Sequence, residues 1–310
     1  MIKLILASSG SFLIFGLMFW LIHQERRKNR FSPFTENMLR SPGHTLDLDL
    51  QSLIDKMALA LLVIGILPLI YFQYLLDANI SKQIVYVPFF IVVMSFAIYN
   101  IIKLFRSAQN VRLGLFGEVY TGQELNYLMH QGAWVYHDIP YKYGNIDHIV
   151  ISKAGVFVVE TKAVRKPATD SGGRKAKLIV TKDAIKFPHM TTSHPIDQVQ
   201  RHKMHLKNKL SEKLGFSCPV FSVVSLPGWF VEKENQNAKN GFLVINPKRG
   251  KGLEKYINEK QRINESELKR VVSEIENFAR SVEARSNMTD PDANKNYSFF
   301  LNRKHEEAKL

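Results

Sequence analysis

The sequence predicts an α/β domain carried behind an all-helical membrane anchor of three spans. Two observations point there. Long charge-free apolar stretches are confined to the first third of the 310-residue chain, and beyond residue 106 β-branched apolar runs alternate with amphipathic helical patterns. The expected organisation is an anchor over residues 1–106, an α/β domain with a C-terminal helix over 107–285, and a polar tail over 286–310. The tail lacks the pattern needed for a core, so disorder is expected there apart from residues 297–301.

Residues 4–22 carry no charge and run directly into HQERRKNR. That length suits a spanning helix. A cleaved signal peptide needs a shorter apolar region and a small-residue cleavage site, whereas Phe19-Trp20-Leu21-Ile22 leads straight into charges. Residues 57–76 and 84–102 are also charge-free, and the short loop 77–83 between them predicts a helical hairpin across the bilayer. Membrane helices tolerate the interior Pro68 and Pro88. The alternative is a pair of buried core helices. Arg26, Arg27, Lys28 and Arg30 follow the first stretch, Lys56 precedes the second, and Lys103 and Arg106 follow the third. The loop between the last two holds only Lys82, and Lys3 at the far end is outnumbered. The expected topology in the inner (plasma) membrane is multi-pass, with the N-terminus outside and the C-terminal domain cytoplasmic. The single cysteine, Cys218, suits a reducing compartment and opens the apolar run PVFSVVSL as a packing residue.

Within the domain, residues 115–130 read as a helix with Leu115, Val119, Leu125, Leu128 and Met129 on one side, ending near Gly132. Residues 133–139, 146–151 and 156–162 read as successive strands, 165–174 as a loop and 177–181 as a short strand. A helix is expected over 195–214, with Pro195 at its start and Gly215 past its end. Its Gln198, Arg201, His202, His205 and Lys209 form a polar stripe that either tracks a phosphate backbone or faces solvent. His202 and His205 have the spacing for a shared metal, but no third nitrogen or thiolate ligand lies nearby in sequence. Residues 220–226 and 242–245 are apolar and suited to central strands beside the hairpin. Asn264-Glu265-Ser266-Glu267 matches a capping box that launches a helix through Val282, with Leu268, Val271, Val272, Ile275, Phe278 and Ala279 inward.

The candidate site lies in DHIVISKAGVFVVETK, residues 147–162. A polar loop closed by Gly155 is a hairpin signal. If Ile151 pairs with Val156, Asp147 stands opposite Glu160. Directly opposed residues share a face at about 4.5–5.5 Å between Cβ atoms, close enough for two carboxylates to grip one cation. Side chains alternate along a strand, so Lys162 falls on that same face. Oxygen-only ligands suit a hard cation such as Mg²⁺ or Mn²⁺. Such an ion stabilises charge developing on phosphate and acidifies water, and Lys162 would orient or deprotonate that water or steady the pentacovalent charge. An isolated Glu-x-Lys is more often a surface ion pair. Here the strand GVFVV is continuously apolar, which predicts burial on both faces.

The ordered set Gly117-Glu118, Asp147 in NIDHIVIS, GVFVVETK and Pro195-x-x-Gln198 resembles the nuclease-related domain (NERD) family, a branch of the restriction-endonuclease-like PD-(D/E)xK nucleases. The resemblance runs over about residues 115–231. It implies a mixed sheet flanked by helices, a helix followed by a meander, and phosphodiester hydrolysis. It also implies that Glu118 completes the metal site from a helix that the Gly117-Glu118 pair opens, and that Gln198 supports the site from a later helix. The bland alternatives are a first-turn helix acid for Glu118 and a solvated residue for Gln198.

Charge points to the substrate class. The chain carries 42 Lys+Arg against 28 Asp+Glu, a net +14, and residues 164–214 are the densest basic segment. A basic domain with a carboxylate cluster fits DNA, although some of this charge would also suit anionic headgroups of the lipid bilayer. Two function classes therefore stand: a membrane-anchored, Mg²⁺-dependent deoxyribonuclease, and a catalytically inactive nuclease-like module that binds nucleic acid or a protein partner at the membrane. A transporter is disfavoured because the apolar stretches contain no acid or base.

Overall fold

A computed structural model describes residues 37–77, 80–141, 144–166, 177–233 and 241–281, with isolated helical positions at 17, 20, 21 and 24. The chain divides into a unit of Leu39–Ala279 and a second of Met1–Met38 with Arg280–Leu310. The architecture below belongs to the first. The first expected span, 4–22, and the tail, 286–310, lie outside the described residues apart from those isolated positions, as does most of the loop 165–174.

Two long helices open the unit, α1 (His44–Asp77) and α2 (Ile80–Asn126). They pack together, with the Tyr71 and Phe90 rings stacked at 4.2 Å. Each runs unbroken through its proline, Pro68 or Pro88. The connection is shorter than the expected 77–83, because α2 already begins at Ile80. Two helical segments, His44–Leu69 and Val87–Gln131, are long and apolar enough to cross a membrane, each containing an 18-residue stretch with a mean hydropathy of 2.0. Their most apolar windows are 6% and 0% buried, which does not fit the alternative of core helices.

The expected separate helix over 115–130 is instead the last part of α2. Nothing in KLFRSAQNVRL, residues 103–113, breaks a helix, so the chain continues from the apolar stretch into the domain. Glu118 is accordingly an interior helix residue and not a first-turn acid. A 3₁₀ turn (Tyr127–Gln131) follows, and Gly132, at φ 81°, ends it by donating its N–H to the Leu128 and Met129 carbonyls.

The main sheet has the order β1-β2-β3-β7-β9. Strands β1 (Trp134–Tyr141), β2 (Gly144–Ser152) and β3 (Gly155–Thr161) form an antiparallel meander, and β7 (Val220–Ser225) and β9 (Phe242–Ile245) continue it in parallel. The expected pair Ile151 and Val156 is observed. Gly155 is required in that hairpin: its φ is 134°, and a Cβ there would stand 2.6 Å from the Pro219 carbonyl oxygen. Every residue of β3 is buried. Val156 and Val158 enter a core with Leu206, Leu210, Val271 and Ile275, which come from α3 (His194–Leu214) and α5 (Glu265–Arg280). Phe157 and Val159 enter the opposite core with Leu125 and Leu128, and with Leu253 and Ile257 of α4 (Lys251–Glu259). The sheet is thus covered by helices on both faces, the mixed α/β arrangement expected.

The capping box is present: Asn264 Oδ1 accepts from the Glu267 N–H at 2.9 Å, and Glu267 Oε2 accepts from the Asn264 N–H at 2.8 Å. All six inward residues expected on α5 are buried. A second sheet, β6-β5-β4-β8, joins β4 (Lys177–Val180) to β5 (Ile185–Lys186), β6 (Thr191–Thr192) and β8 (Phe230–Lys233). Of these strands only β4 was expected.

Candidate active site

Asp147 lies where the sheet is interrupted on both sides. The β2–β3 register ends at His148 with Val159, so the next step places Asp147 opposite Glu160. On the other side the β1–β2 register skips the position between His137–His148 and Ile139–Ile146, where Asp138 faces Asp147. Asp138 is the cause: it adopts φ 46°, left-handed for a non-glycine residue. Its buried carboxylate accepts from Arg40 at 3.0 Å, Thr45 at 2.8 Å and Asn145 at 2.6 Å. With the ladder open, Asp147 Oδ2 accepts the Thr161 N–H at 2.7 Å.

Glu160 shares the parity of Val156 and Val158, and Asp147 that of Ile149 and Ile151, so both carboxylates belong to the sheet face covered by α3 and α5. Both are buried, at 5% exposure for Asp147 and 3% for Glu160. Buried carboxylates at the end of an apolar strand are costly unless neutralised, which is the environment expected of a cation or proton site. Glu160 also meets a residue whose role sequence reasoning missed: His202 Nδ1 stands 3.3 Å from its Oε2. His202 lies on the inward row of α3 with Val199 and Leu206, and Tyr141 packs edge-on against its ring at 5.2 Å. The polar stripe is therefore solvated only in part, at exposed Arg201. His202 is buried, and half-buried His205 lies against Tyr141 at 4.7 Å, while Lys209 sits over the Phe278 ring.

Lys162 is half-buried, and its N–H donates to the Ser225 carbonyl at 2.9 Å. That bond keeps the backbone alongside β7 one residue beyond β3, so the alternation carries Lys162 toward the face of Glu160. Among the described residues the Lys162 side chain has neither an ion pair nor a hydrogen bond. Fully buried Trp229 steadies the following segment by donating its Nε1–H to the Val164 carbonyl at 3.2 Å.

Glu118 is buried on α2. Its neighbour Gly117 lies so close to the chain beyond β3 that a Cβ would stand 2.6 Å from Ala163 Cβ, and Thr121, one turn on, is 3.1 Å from Ser225 Oγ. The helix thus crosses the end of β3 on the sheet face opposite His202. Among the described residues no three His, Cys, Asp or Glu side chains gather closely enough to hold a metal ion. Gln198 is half-buried one turn before His202 on α3, without a side-chain hydrogen bond among the described residues.

A chain of hydrogen bonds, buried at Thr161 and His148 and reaching the surface at Asn126, backs the site on the α2 side. Thr161 Oγ1 lies 3.2 Å from His148 Nε2, the two imidazoles meet Nδ1 to Nδ1 at 2.9 Å, and His137 Nε2 lies 3.2 Å from Asn126 Oδ1. Burial holds the His137 pKa down at about 4, outweighing the charge of Asp138, and burial likewise holds His148 well below its ordinary value. Each ring then carries one proton. The Asn126 oxygen fixes the His137 proton on Nε2, so His148 donates from Nδ1 and accepts from Thr161. The one sequence signal for this chain was a histidine, His148, inside a buried apolar strand.

Two carboxylates on neighbouring strands match the donor set of a hard cation, which takes one or two protein carboxylates and completes its shell with water and phosphate oxygens. Residues 113–227 match the family model of NERD, the nuclease-related domain. No curated protein and no solved structure matches the chain. The segment that carries Asp147, Glu160 and Lys162 is therefore similar to the nuclease-related domain.

Proposed function

We propose that this protein is a membrane-anchored, Mg²⁺-dependent nuclease that hydrolyses phosphodiester bonds of DNA on the cytoplasmic side of the membrane. One observation carries the reading: within a segment similar to the nuclease-related domain, buried Asp147 and Glu160 face each other at the open end of the β2–β3 ladder, with Lys162 one alternation further. Asp147 and Glu160 would hold the Mg²⁺, with Glu118 approaching from α2 through water. Bound there, the ion supplies electrostatic stabilisation at the scissile phosphate and acidifies water. The ammonium of Lys162 would donate to a non-bridging phosphate oxygen and hold the attacking water in line, stabilising charge that grows in the transition state. The Thr161 N–H fixes Asp147, and Gln198 would steady substrate or water from α3. The basic surface around residues 177–213 would meet the phosphate backbone. The apolar stretches of α1 and α2 would cross the bilayer, with Lys56, Lys103 and Arg106 flanking them on the cytoplasmic side.

The alternative is a nuclease-like module that binds nucleic acid or a protein partner at the membrane without cutting. One experiment separates the two. The full chain in detergent is incubated with labelled plasmid and either Mg²⁺ or chelator, beside Lys162→Ala. The full chain is needed because residue 107 lies inside α2, and Arg40 and Thr45 hold Asp138. Cleavage that requires Mg²⁺ and falls at least ~100-fold in Lys162→Ala supports the nuclease. No Mg²⁺-dependent cleavage, or equal cleavage by both proteins, overturns it.

A further inference from the structure

We infer that His202 is the positioning residue for Glu160, standing against one carboxylate oxygen from α3 so that the group is presented to a cation beside Asp147. This rests on the metal-dependent reading above. The terminal torsion of a glutamate is broad, so a Glu at the end of a strand does not orient its own carboxylate. A polar atom fixed on another element can do so. His202 Nδ1 stands 3.3 Å from Glu160 Oε2, at ion-pair distance but without hydrogen-bond geometry, and both side chains are only 4% exposed. The imidazole is itself held: Val199 and Leu206 seat its helix turn in the core, and Tyr141 packs edge-on against the ring. Groups that bond metal-ligating carboxylates typically change metal affinity about 10–100-fold when removed.

The geometry also names the atom, and so the rescuing substitution. Nδ1 faces the carboxylate, and an asparagine amide nitrogen occupies nearly the position of Nδ1, whereas a glutamine amide nitrogen lies nearer Nε2. The test is Mn²⁺ binding to the full chain in phosphatidylcholine nanodiscs, whose zwitterionic headgroups hold the ion poorly. It is read from the electron paramagnetic resonance signal of free Mn²⁺, with circular dichroism melts as the folding control. The wild-type chain is expected to bind, and Glu160→Gln to lose that binding. His202→Asn should stay within about threefold of wild type, and His202→Gln and His202→Leu should weaken binding ~10-fold or more. If His202→Leu does not fold, the contrast between His202→Asn and His202→Gln still decides. Wild-type affinity in His202→Gln, or equal weakening in His202→Asn and His202→Gln, overturns the role of His202 alone. A wild-type chain that binds no Mn²⁺, or binds it equally as Glu160→Gln, overturns the metal reading and this inference with it.

Discussion

The paired imidazoles predict a specific acid sensitivity. His137 and His148 share one proton across their Nδ1–Nδ1 contact, and a second proton on His137 would put N–H against N–H at 2.9 Å. Burial lowers the His137 pKa from the ordinary 6.5 to about 4. Above pH 6.5 the group is neutral in both folded and unfolded chains and contributes no pH dependence. As pH falls below 6.5 the unfolded chain takes up a proton that the folded chain refuses, so stability declines until about pH 4, where both are protonated. The shift corresponds to a loss of roughly 3 kcal/mol across that window, and His148 acts in the same direction. The assay is equilibrium unfolding of the detergent-solubilised chain, followed by tryptophan fluorescence at several pH values from 7.5 to 4. His137→Gln should flatten the curve by about 1.4 kcal/mol per pH unit within the window, because carboxylates common to both proteins cancel. Parallel curves for the two proteins would refute the account of the histidine pair.

Other consequences follow from single residues. Gly155→Ala places a side chain at φ 134° against the Pro219 carbonyl, and should cost at least roughly 1–3 kcal/mol in equilibrium unfolding. Asp138→Asn keeps a side chain tolerant of positive φ but strands the buried Arg40 charge, so a loss of about 3–5 kcal/mol is expected in the same measurement. Trp229→Phe keeps an aromatic ring but leaves a void beside it and the Val164 carbonyl without its donor. A loss of about 1–3 kcal/mol should appear on unfolding, together with slower Mg²⁺-dependent cleavage, because Val164 lies two residues beyond Lys162.

Much of the site was legible because its signals are local. The hairpin register followed from one glycine and two apolar runs. Once Ile151 meets Val156, the period of two leaves Asp147 and Glu160 opposed. The capping box at Asn264 and the all-buried β3 were readable for the same reason, since neighbours in sequence set both. Glu118 was misread in its context. A Gly-Glu pair before an amphipathic run looks like a helix start, yet helix-forming residues upstream let α2 run through it.

What the chain determined by itself is the set of patterns that repeat along it: apolar helices long enough to cross a bilayer, strands with two buried faces, and an acid-acid-lysine grouping around one hairpin. What only the tertiary structure decided is which residues from distant elements meet there. His202 looks like part of a polar helix face until α3 docks against β3 and turns it onto Glu160. Asp138 looks like an ordinary strand acid until Arg40 and Thr45 draw it into a left-handed conformation that opens the sheet beside Asp147. Periodicity is a property of one segment, whereas docking depends on the combined shape and charge of several, and no single segment encodes it.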